Sequence, residues 1–465
     1  MPVSEFIRES RAGNINYPDF YSRLFEKVKE TNKKHNLFIT LSEKEAKNDA
    51  KTVKKGALSG LPVSVKDNIC TEGIRTTAGS KILDNYIPPF DATCIEKTKK
   101  EGGIIIGKTA QDEFGFGTFS VNCAYAVPKN PLDPLRSCGG SSGGAAGITT
   151  ALDMPHIALA ESTGGSISCP ASFCGVAGLT PTYGRVSRHG LIDYASSLDK
   201  IGIMAKKTSD IALMLGIIAG RDKRESTSLD ASVPDYTKVG ANIKGMKIGI
   251  PKEYFSGDID EKIKKQVLDT ISKLEELGAK TRECSLPNTE YAVSAYYIIA
   301  MAEASTNLAK FCGQRYGACE PLEGDFNQYF SKVRGKYFGE EAKRRVLLGT
   351  YARMAGYRDQ YYLRAMKVRQ LIIDDYKRAF KKFDVLAAPT MPFVAPKFSE
   401  IEKLKPVDHY NADILTVPAN LAGIPMLSVP CGKKDGMPVG LHIMADHLGE
   451  ENVLKAGMAV EGLNL

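Results

Sequence analysis

The sequence has no long apolar run, and this absence excludes a membrane-spanning helix. No stretch approaches the roughly 18 to 20 apolar residues that cross a bilayer. Charged residues also occupy Met1–Ser10, where a signal peptide would be apolar. We therefore expect a cytoplasmic protein that makes no membrane contact.

Cysteine and histidine are sparse as well. The 465 residues include ten cysteines, none in a C-x-x-C pair that would be typical of a zinc site, and too few for a disulfide framework in a chain this long. A reducing compartment fits this pattern. Only six histidines are present. Because none lies in a motif that marks a catalytic base, a histidine-dependent triad is disfavoured.

Charge of neither sign dominates the chain. The 62 lysines and arginines exceed the 54 acidic residues by eight, in short clusters mixed with polar or acidic residues. Such clusters are typical of solvated helix faces, although a role in steering a polyanion such as RNA stays open. With 43% hydrophobic and 25% charged residues, the chain has the balance of a globular protein with a large core.

Helical and strand patterns alternate along the chain, which predicts an α/β protein. Phe20, Leu24 and Val28 recur every fourth residue after a proline and predict an amphipathic helix. Residues 61–66 alternate in the period of a strand, and that strand ends on Lys66.

Two motifs match known patterns in the wrong context. Residues 102–109 fit the phosphate-loop pattern G-x-x-x-x-G-K-T, but three isoleucines fill its turn positions and a charged helix precedes it. Residues 139–143 fit the G-x-S-x-G nucleophile elbow, but the preceding segment contains two prolines and is a poor strand. Neither nucleotide binding nor a Ser-His-Asp hydrolase is favoured.

An isolated lysine and a glycine-rich stretch suggest another chemistry. Six serines and seven glycines lie between Ser137 and Ser168, and apolar flanks favour an ordered loop over a linker. Lowering the pKa of a lysine from about 10.4 to about 7 takes roughly 4 to 5 kcal/mol, which requires a preformed pocket. A neutral Lys66 amine and two loop serines would form a nucleophilic site without histidine.

These residues resemble the amidase signature family. The resemblance is carried by three motifs: Lys66 in Val65–Asp67, the loop Gly139–Gly144, and Thr163–Ile167 followed by Pro170 and Cys174–Val176. It implies a mixed central β-sheet wrapped by helices. We expect an N-terminal helical segment at 1–60 and one large amidase signature domain at 61–465, whose catalytic core is 61–205.

The family pattern implies roles for the residues of these motifs. Ser166 is the expected nucleophile, Ser141 the bridging serine, usually with a cis peptide, and Lys66 the ultimate base. The backbone N–H groups of Thr163, Gly164 and Gly165 are candidates for the oxyanion hole. Ser142 is expected to help by hydrogen bonding.

Within the family, the later chain is most similar to the glutaminase subunits of tRNA-dependent amidotransferases. The supporting segments are Asp112–Phe114, Pro181–Ser187, Glu303–Leu308, Arg315–Gly317, Lys343–Arg345, Gly349–Tyr351 and Val417–Gly423. The resemblance implies glutamine as substrate, with Arg345 on its α-carboxylate, Asp413 on its α-ammonium and Tyr296 in contact with it.

It also implies a heterotrimer with amidotransferase subunits B and C. This chain needs no cofactor, the partner uses ATP and magnesium, and tRNA binds through the complex. Whether the acceptor is Glu-tRNA(Gln), Asp-tRNA(Asn) or both stays open. The alternatives are a stand-alone amidase that acts on a small amide and a catalytically degenerate scaffold subunit.

The chain departs from the family pattern beside the nucleophile. Relatives usually read Ser-Asp-Thr-Gly-Gly-Ser-Ile-Arg, whereas this chain has Glu161-Ser162-Thr163-Gly164-Gly165-Ser166-Ile167-Ser168. The usual acid and base are thus replaced by Ser162 and Ser168. Losing both partners of an ion pair together avoids an unpaired buried charge. The spacing from Ser141 to Ser166 is one residue longer than expected, and 153–155 is the predicted place of the extra residue.

Overall fold

Eleven strands form one mixed sheet in the computed structural model, which describes every residue from Met1 to Leu465. The strands are β1 (Phe38–Leu41), β2 (Pro62–Lys66), β3 (Ile104–Thr109), β4 (Ile157–Ser162), β5 (Ala177–Thr180), β6 (Lys200–Ala205), β7 (Lys247–Pro251), β8 (Lys280–Cys284), β9 (Val385–Pro389), β10 (Met426–Lys434) and β11 (Met437–Met444). The predicted α/β class with a mixed central sheet is confirmed.

Sixteen α-helices surround this sheet. They are α1 (Val3–Arg11), α2 (Tyr17–His35), α3 (Glu43–Asp49), α4 (Thr93–Lys100), α5 (Gly143–Ala151), α6 (Ser168–Cys174), α7 (Thr208–Ile218), α8 (Glu261–Glu276), α9 (Ala292–Asn307), α10 (Phe326–Tyr337), α11 (Glu340–Arg353), α12 (Arg364–Phe380), α13 (Phe398–Ile401), α14 (Pro406–Asn411), α15 (Val417–Ala422) and α16 (Glu450–Gly462). None of them is both long and apolar enough to span a membrane.

The sheet order explains why two distant segments meet. The strands run β1-β3-β2-β4-β6-β5-β10-β11-β9-β7-β8. Strand β2 lies between β3 and β4 and is parallel to both, so the carboxyl ends of these three strands share one edge. Lys66 ends β2 and Ser162 ends β4, and the loops that follow these strands open at the same place.

The predicted N-terminal segment, residues 1–60, contains three helices and also strand β1. Strand β1 pairs antiparallel with β3 at the sheet edge, with Phe38 opposite Thr109. Phe25 and Val28 of α2 are fully buried in the same hydrophobic core as the strands. The segment therefore packs as part of the sheet layer. The phosphate-loop pattern at 102–109 forms a turn and β3, as its isoleucines indicated.

The second half of the chain covers the site edge of the sheet. Helices α9, α11 and α12 pack with α15 around a second hydrophobic core. Tyr296 lies on α9 and Arg345 on α11, and both are buried. Asp413 lies in the turn between α14 and α15. This layer brings residues from positions 296 to 413 against the glycine-rich loops.

Candidate active site

The amine of Lys66 lies at the centre of the site. The side chain is 0% exposed. Its Nζ donates to the Ser141 Oγ at 2.7 Å and to the backbone oxygen of Glu161 at 2.9 Å. The lysine and the bridging serine that the family pattern pairs are therefore in direct contact.

Ser141 and Ser142 occupy the turn that leads into α5. The peptide bond between Gly140 and Ser141 is cis, as the family pattern implied. Ser142 donates its hydroxyl hydrogen to the backbone oxygen of Glu161 at 3.0 Å. That hydrogen is therefore engaged within the chain, and Ser142 acts here by fixing the end of β4.

Ser166 lies on the facing loop, directly before α6. It is 7% exposed, and its hydroxyl makes no hydrogen bond within the chain. The backbone N–H of Ser142 donates to the backbone oxygen of Ser166 at 3.3 Å, so the two serine loops are in contact. No hydrogen bond joins the hydroxyls of Ser141 and Ser166 in this structure.

The loop before Ser166 presents free backbone donors. No hydrogen bond within the chain involves the N–H groups of Thr163, Gly164 or Gly165. The amide of Asn420 donates to the backbone oxygen of Thr163 and to that of Leu198, the latter at 3.1 Å. These bonds fix the orientation of the Thr163 carbonyl. A cluster of oriented, unpaired N–H groups is what an oxyanion hole requires.

Gly164 and Gly165 are needed because other side chains press onto this loop. A Cβ on Gly164 would lie 2.8 Å from the Tyr296 hydroxyl oxygen. A Cβ on Gly165 would lie 2.4 Å from the hydroxyl oxygen of Thr416 and 3.3 Å from Oδ1 of Asp413. Tyr296 and Asp413 therefore sit directly over the loop that carries the nucleophile.

Arg345 is a buried cation enclosed by aromatic rings. Its side chain is 3% exposed, and its Nε donates to Glu341 at 2.7 Å. The guanidinium carbon lies 5.1 to 5.5 Å from four ring centroids, those of Phe116, Tyr194, Tyr297 and Tyr410. Its Nη1 donates to Tyr194 and its Nη2 makes no hydrogen bond within the chain, so the guanidinium keeps a free donor for an anion.

Asp413 supplies the opposite charge near Arg345. Its Oδ2 accepts hydrogen bonds from Tyr297 at 2.6 Å and from Thr118 at 3.1 Å, whereas Oδ1 faces Gly165. Burial raises the pKa of Asp413 to about 6, against the effect of these hydrogen bonds and of Arg345. The carboxylate is therefore mostly ionised at pH 7.

Sequence reasoning missed Glu161. Its Oε2 accepts from Lys66 Nζ at 2.9 Å and from Asn68 at 3.0 Å, and both partners of this ion pair are buried. Two signals marked the position. A charge stands at the end of the apolar run 157–160, and relatives usually have serine there.

The two serines that replace the usual acid and base take different roles. Ser162 donates its hydroxyl to the backbone oxygen of Gly164 at 2.9 Å and so stabilises the loop. The hydroxyl of Ser168 is buried without a hydrogen-bond partner. Residues 153–155 lie in the turn between α5 and β4, where an extra residue is readily accommodated.

No histidine contacts the serines of the site. His156 bonds Ser64 at 2.9 Å, and burial lowers its pKa to about 3. Burial also lowers the pKa of His442 to about 4. No cluster of three or more His, Cys, Asp or Glu side chains in the chain could hold a metal ion.

Comparisons with known proteins agree with this arrangement. The amidase family model matches residues 19–454. The A chain of glutamyl-tRNA(Gln) amidotransferase from Halothermothrix orenii is 46% identical over 97% of this chain and 94% of its own length. The protein of the same name from Methanococcoides burtonii is 49% identical over 91% of this chain and 89% of its own.

A solved structure shares the fold over nearly the whole chain. The crystal structure of the corresponding glutamyl-tRNA(Gln) amidotransferase chain from Thermotoga maritima superimposes with a TM-score of 0.83 and 36% identity. The match covers 99% of this chain and 94% of that one. The resemblance seen in the motifs is confirmed, and the chain belongs to the amidase family.

Proposed function

We propose that this chain is the glutaminase component of a tRNA-dependent amidotransferase and that Ser166, Ser141 and Lys66 hydrolyse glutamine. One observation carries the choice of substrate. A buried cation, Arg345, and a buried anion, Asp413, contact the same side chain, Tyr297, beside the glycine loop. A zwitterionic amino acid needs such a pair of charges to replace its water.

The nucleophile would act through a proton relay. Ser166 attacks the side-chain carbonyl of glutamine while its proton passes to Ser141, whose own proton passes to Lys66. This step requires Lys66 as a neutral amine, and the Ser141 hydroxyl to turn until it bonds Ser166. The 2.7 Å contact between Lys66 and Ser141 supports the second transfer.

The free N–H groups of Thr163, Gly164 and Gly165 would receive the developing oxyanion. Such donors stabilise the tetrahedral intermediate because they are fixed before the reaction begins. The proton held by Lys66 then returns through Ser141 to the leaving ammonia. Water hydrolyses the remaining glutamyl ester of Ser166 along the same relay.

Substrate recognition would follow the two charges. Arg345 binds the α-carboxylate through its free donor, and Asp413 binds the α-ammonium through Oδ1. Tyr296, whose hydroxyl lies beside Gly164, contacts the substrate between the reacting amide and the charged end. This arrangement favours a free amino acid over an amide that lacks either charge.

The released ammonia would serve a partner. Because the relatives are named as the first component of a multi-subunit amidotransferase, we propose partner subunits B and C in a cytoplasmic complex. There, ATP and magnesium in the partner activate the charged tRNA, as the family resemblance implies. The acceptor is Glu-tRNA(Gln), Asp-tRNA(Asn) or both.

Co-purification from the native source, followed by a glutamine-dependent tRNA amidation assay, tests this proposal. We expect the chain to carry two partners and to form amidated tRNA only when glutamine, ATP and the charged tRNA are all present. A chain that purifies alone, hydrolyses simple amides and ignores glutamine would contradict the assignment and favour a stand-alone amidase.

A further inference from the structure

We propose that Glu161 holds Lys66 as an ammonium ion in the resting enzyme and thereby sets the pH above which Ser166 becomes nucleophilic. This inference concerns the control of the catalytic relay and rests on the proposed use of Lys66 as its base. Glu161 acts here as a positioning residue, because it reaches the reacting atoms only through Lys66.

The hydrogen-bond geometry around Lys66 is that of a charged amine. Its Nζ has three acceptors within 2.9 Å, namely Ser141 Oγ, the Glu161 backbone oxygen and Glu161 Oε2. An ammonium has three hydrogens to match them, whereas a neutral amine has two. One acceptor is a carboxylate oxygen, and an opposite charge at this distance favours the charged form of the lysine.

A second contact shows which carboxyl group carries the negative charge. The Thr163 hydroxyl lies 2.8 Å from Glu161 Oε1 and 2.7 Å from Asp199 Oδ1. One hydroxyl hydrogen serves one of these two oxygens well, so the other carboxyl group supplies a proton of its own. Two donors, Lys66 and Asn68, stabilise charge on Glu161.

Asp199 is the carboxyl group that carries the proton. Burial, and next to it the charge of Glu161, raise the pKa of Asp199 well above its usual range. Its Oδ2 accepts the backbone N–H groups of Tyr194 and Ala195, which leaves Oδ1 free to donate to Thr163. The hydrogen-bonded chain therefore runs from neutral Asp199 through Thr163 to charged Glu161 and charged Lys66.

Other charged or titratable groups face the pair from neighbouring elements. They are Asp67 on the β2 side, Asp112 after β3, Tyr194 and Asp193 before β6, and Lys200 opposite Ser162. Asp67 bonds Thr77 and not the pair. Burial raises the pKa of Asp112 to about 6, so Asp112 also titrates near neutrality. A comparison of variants at position 161 is therefore needed to isolate the effect of Glu161.

The activating step follows from this arrangement. An N–H bond of the Lys66 ammonium breaks, the proton passes to solvent water, and the electron pair stays on Nζ. The lone pair can then accept the Ser141 proton. While Glu161 is charged, this loss leaves an unpaired buried carboxylate, so it requires a higher pH than in a site without Glu161.

The test measures how fast a fluorophosphonate probe labels Ser166 as a function of pH. The probe reports activation of the serine whatever the natural substrate is. We compare wild type with Glu161→Gln, which removes the charge and keeps the shape, and with Glu161→Asp, which keeps the charge but withdraws it from Nζ. Ser166→Ala supplies the unlabelled blank, and Glu450→Gln changes a buried glutamate that contacts Thr182 and not the site.

We expect Glu161→Gln to move the acid limb of labelling down by about one to three pH units. Glu161→Asp moves it down by less, Glu450→Gln leaves it in place, and Asp199→Asn, which mimics the protonated carboxyl, keeps the wild-type limb. The proposal is overturned if both Glu161 variants keep the wild-type limb or move it up, or if Asp199→Asn lowers it as far as Glu161→Gln. Labelled protein that leaves glutamine intact would refute the proposed glutaminase and not this inference.

Discussion

Asp413 offers the sharpest test of how the site recognises its substrate. Asp413→Asn keeps the shape of the side chain and can still accept hydrogen bonds from Tyr297 and Thr118 through one oxygen. It removes the charge that would face the α-ammonium of glutamine. A hydrogen bond to a charged partner contributes about 1.5 to 3 kcal/mol, so the affinity should fall about 10- to 100-fold.

The same carboxylate predicts the pH dependence of binding. Because burial raises the pKa of Asp413 to about 6, the free site loses its negative charge as the pH falls through about 6. Glutamine affinity should therefore be constant at pH 7 and above and fall at lower pH. With asparagine in place of Asp413, affinity should be weak at every pH and nearly independent of pH.

Calorimetric titration of the Ser166→Ala protein with glutamine measures this without turnover. The same background carries Asp413→Asn, and Asp408→Asn is the matched control because Asp408 lies on α14 and caps that helix. An affinity that is unchanged in Asp413→Asn, or that does not fall between pH 7 and pH 5, would refute the assigned role of this carboxylate.

Three further outcomes follow from the geometry of the site. Ser166→Ala and Lys66→Ala should each abolish glutamine hydrolysis, measured as ammonia release, while circular dichroism and the melting temperature of Ser166→Ala stay close to wild type; turnover in either variant would contradict the relay. Arg345→Ala should raise the KM for glutamine about 10- to 100-fold with a smaller change in kcat, and a pure kcat effect would argue against carboxylate binding. Gly164→Ala should lower kcat because its Cβ meets the Tyr296 hydroxyl, and steady-state kinetics that match wild type would show that the loop has room to move.

The sequence predicted the sheet and the triad because both depend on short-range signals. Alternation over residues 61–66 placed Lys66 at the end of a strand, and three isoleucines identified 104–106 as a strand despite the phosphate-loop pattern. The serine loops were found because small residues cluster there and match a family pattern. Their position at one sheet edge follows from the parallel pairing of β2 with β4.

Other features were beyond the sequence because they depend on contacts over long separations. Strand β1 lies in a segment read as helical, and its pairing with β3 spans about 70 residues. The four rings around Arg345 come from separate parts of the chain besides its own helix. A basic helix segment alone gave no sign that Arg345 is buried while its neighbours are not.

Glu161 shows the same limit at the centre of the site. The strand pattern indicated a buried position, but a buried carboxylate is acceptable only with partners, and these come from Lys66, Asn68 and Thr163. Only the fold shows that the unexpected acid contacts the catalytic lysine.

The account depends most on Ser166 as the residue that carries the glutamyl group. Rapid mixing of the protein with glutamine, acid quenching and mass spectrometry of the peptides tests this directly. We expect a glutamyl ester on Ser166 in wild type and none in Ser166→Ala. A glutamyl group found on Ser141 or Ser142, or glutamine hydrolysis without any covalent adduct under the same quench, would contradict the proposed mechanism.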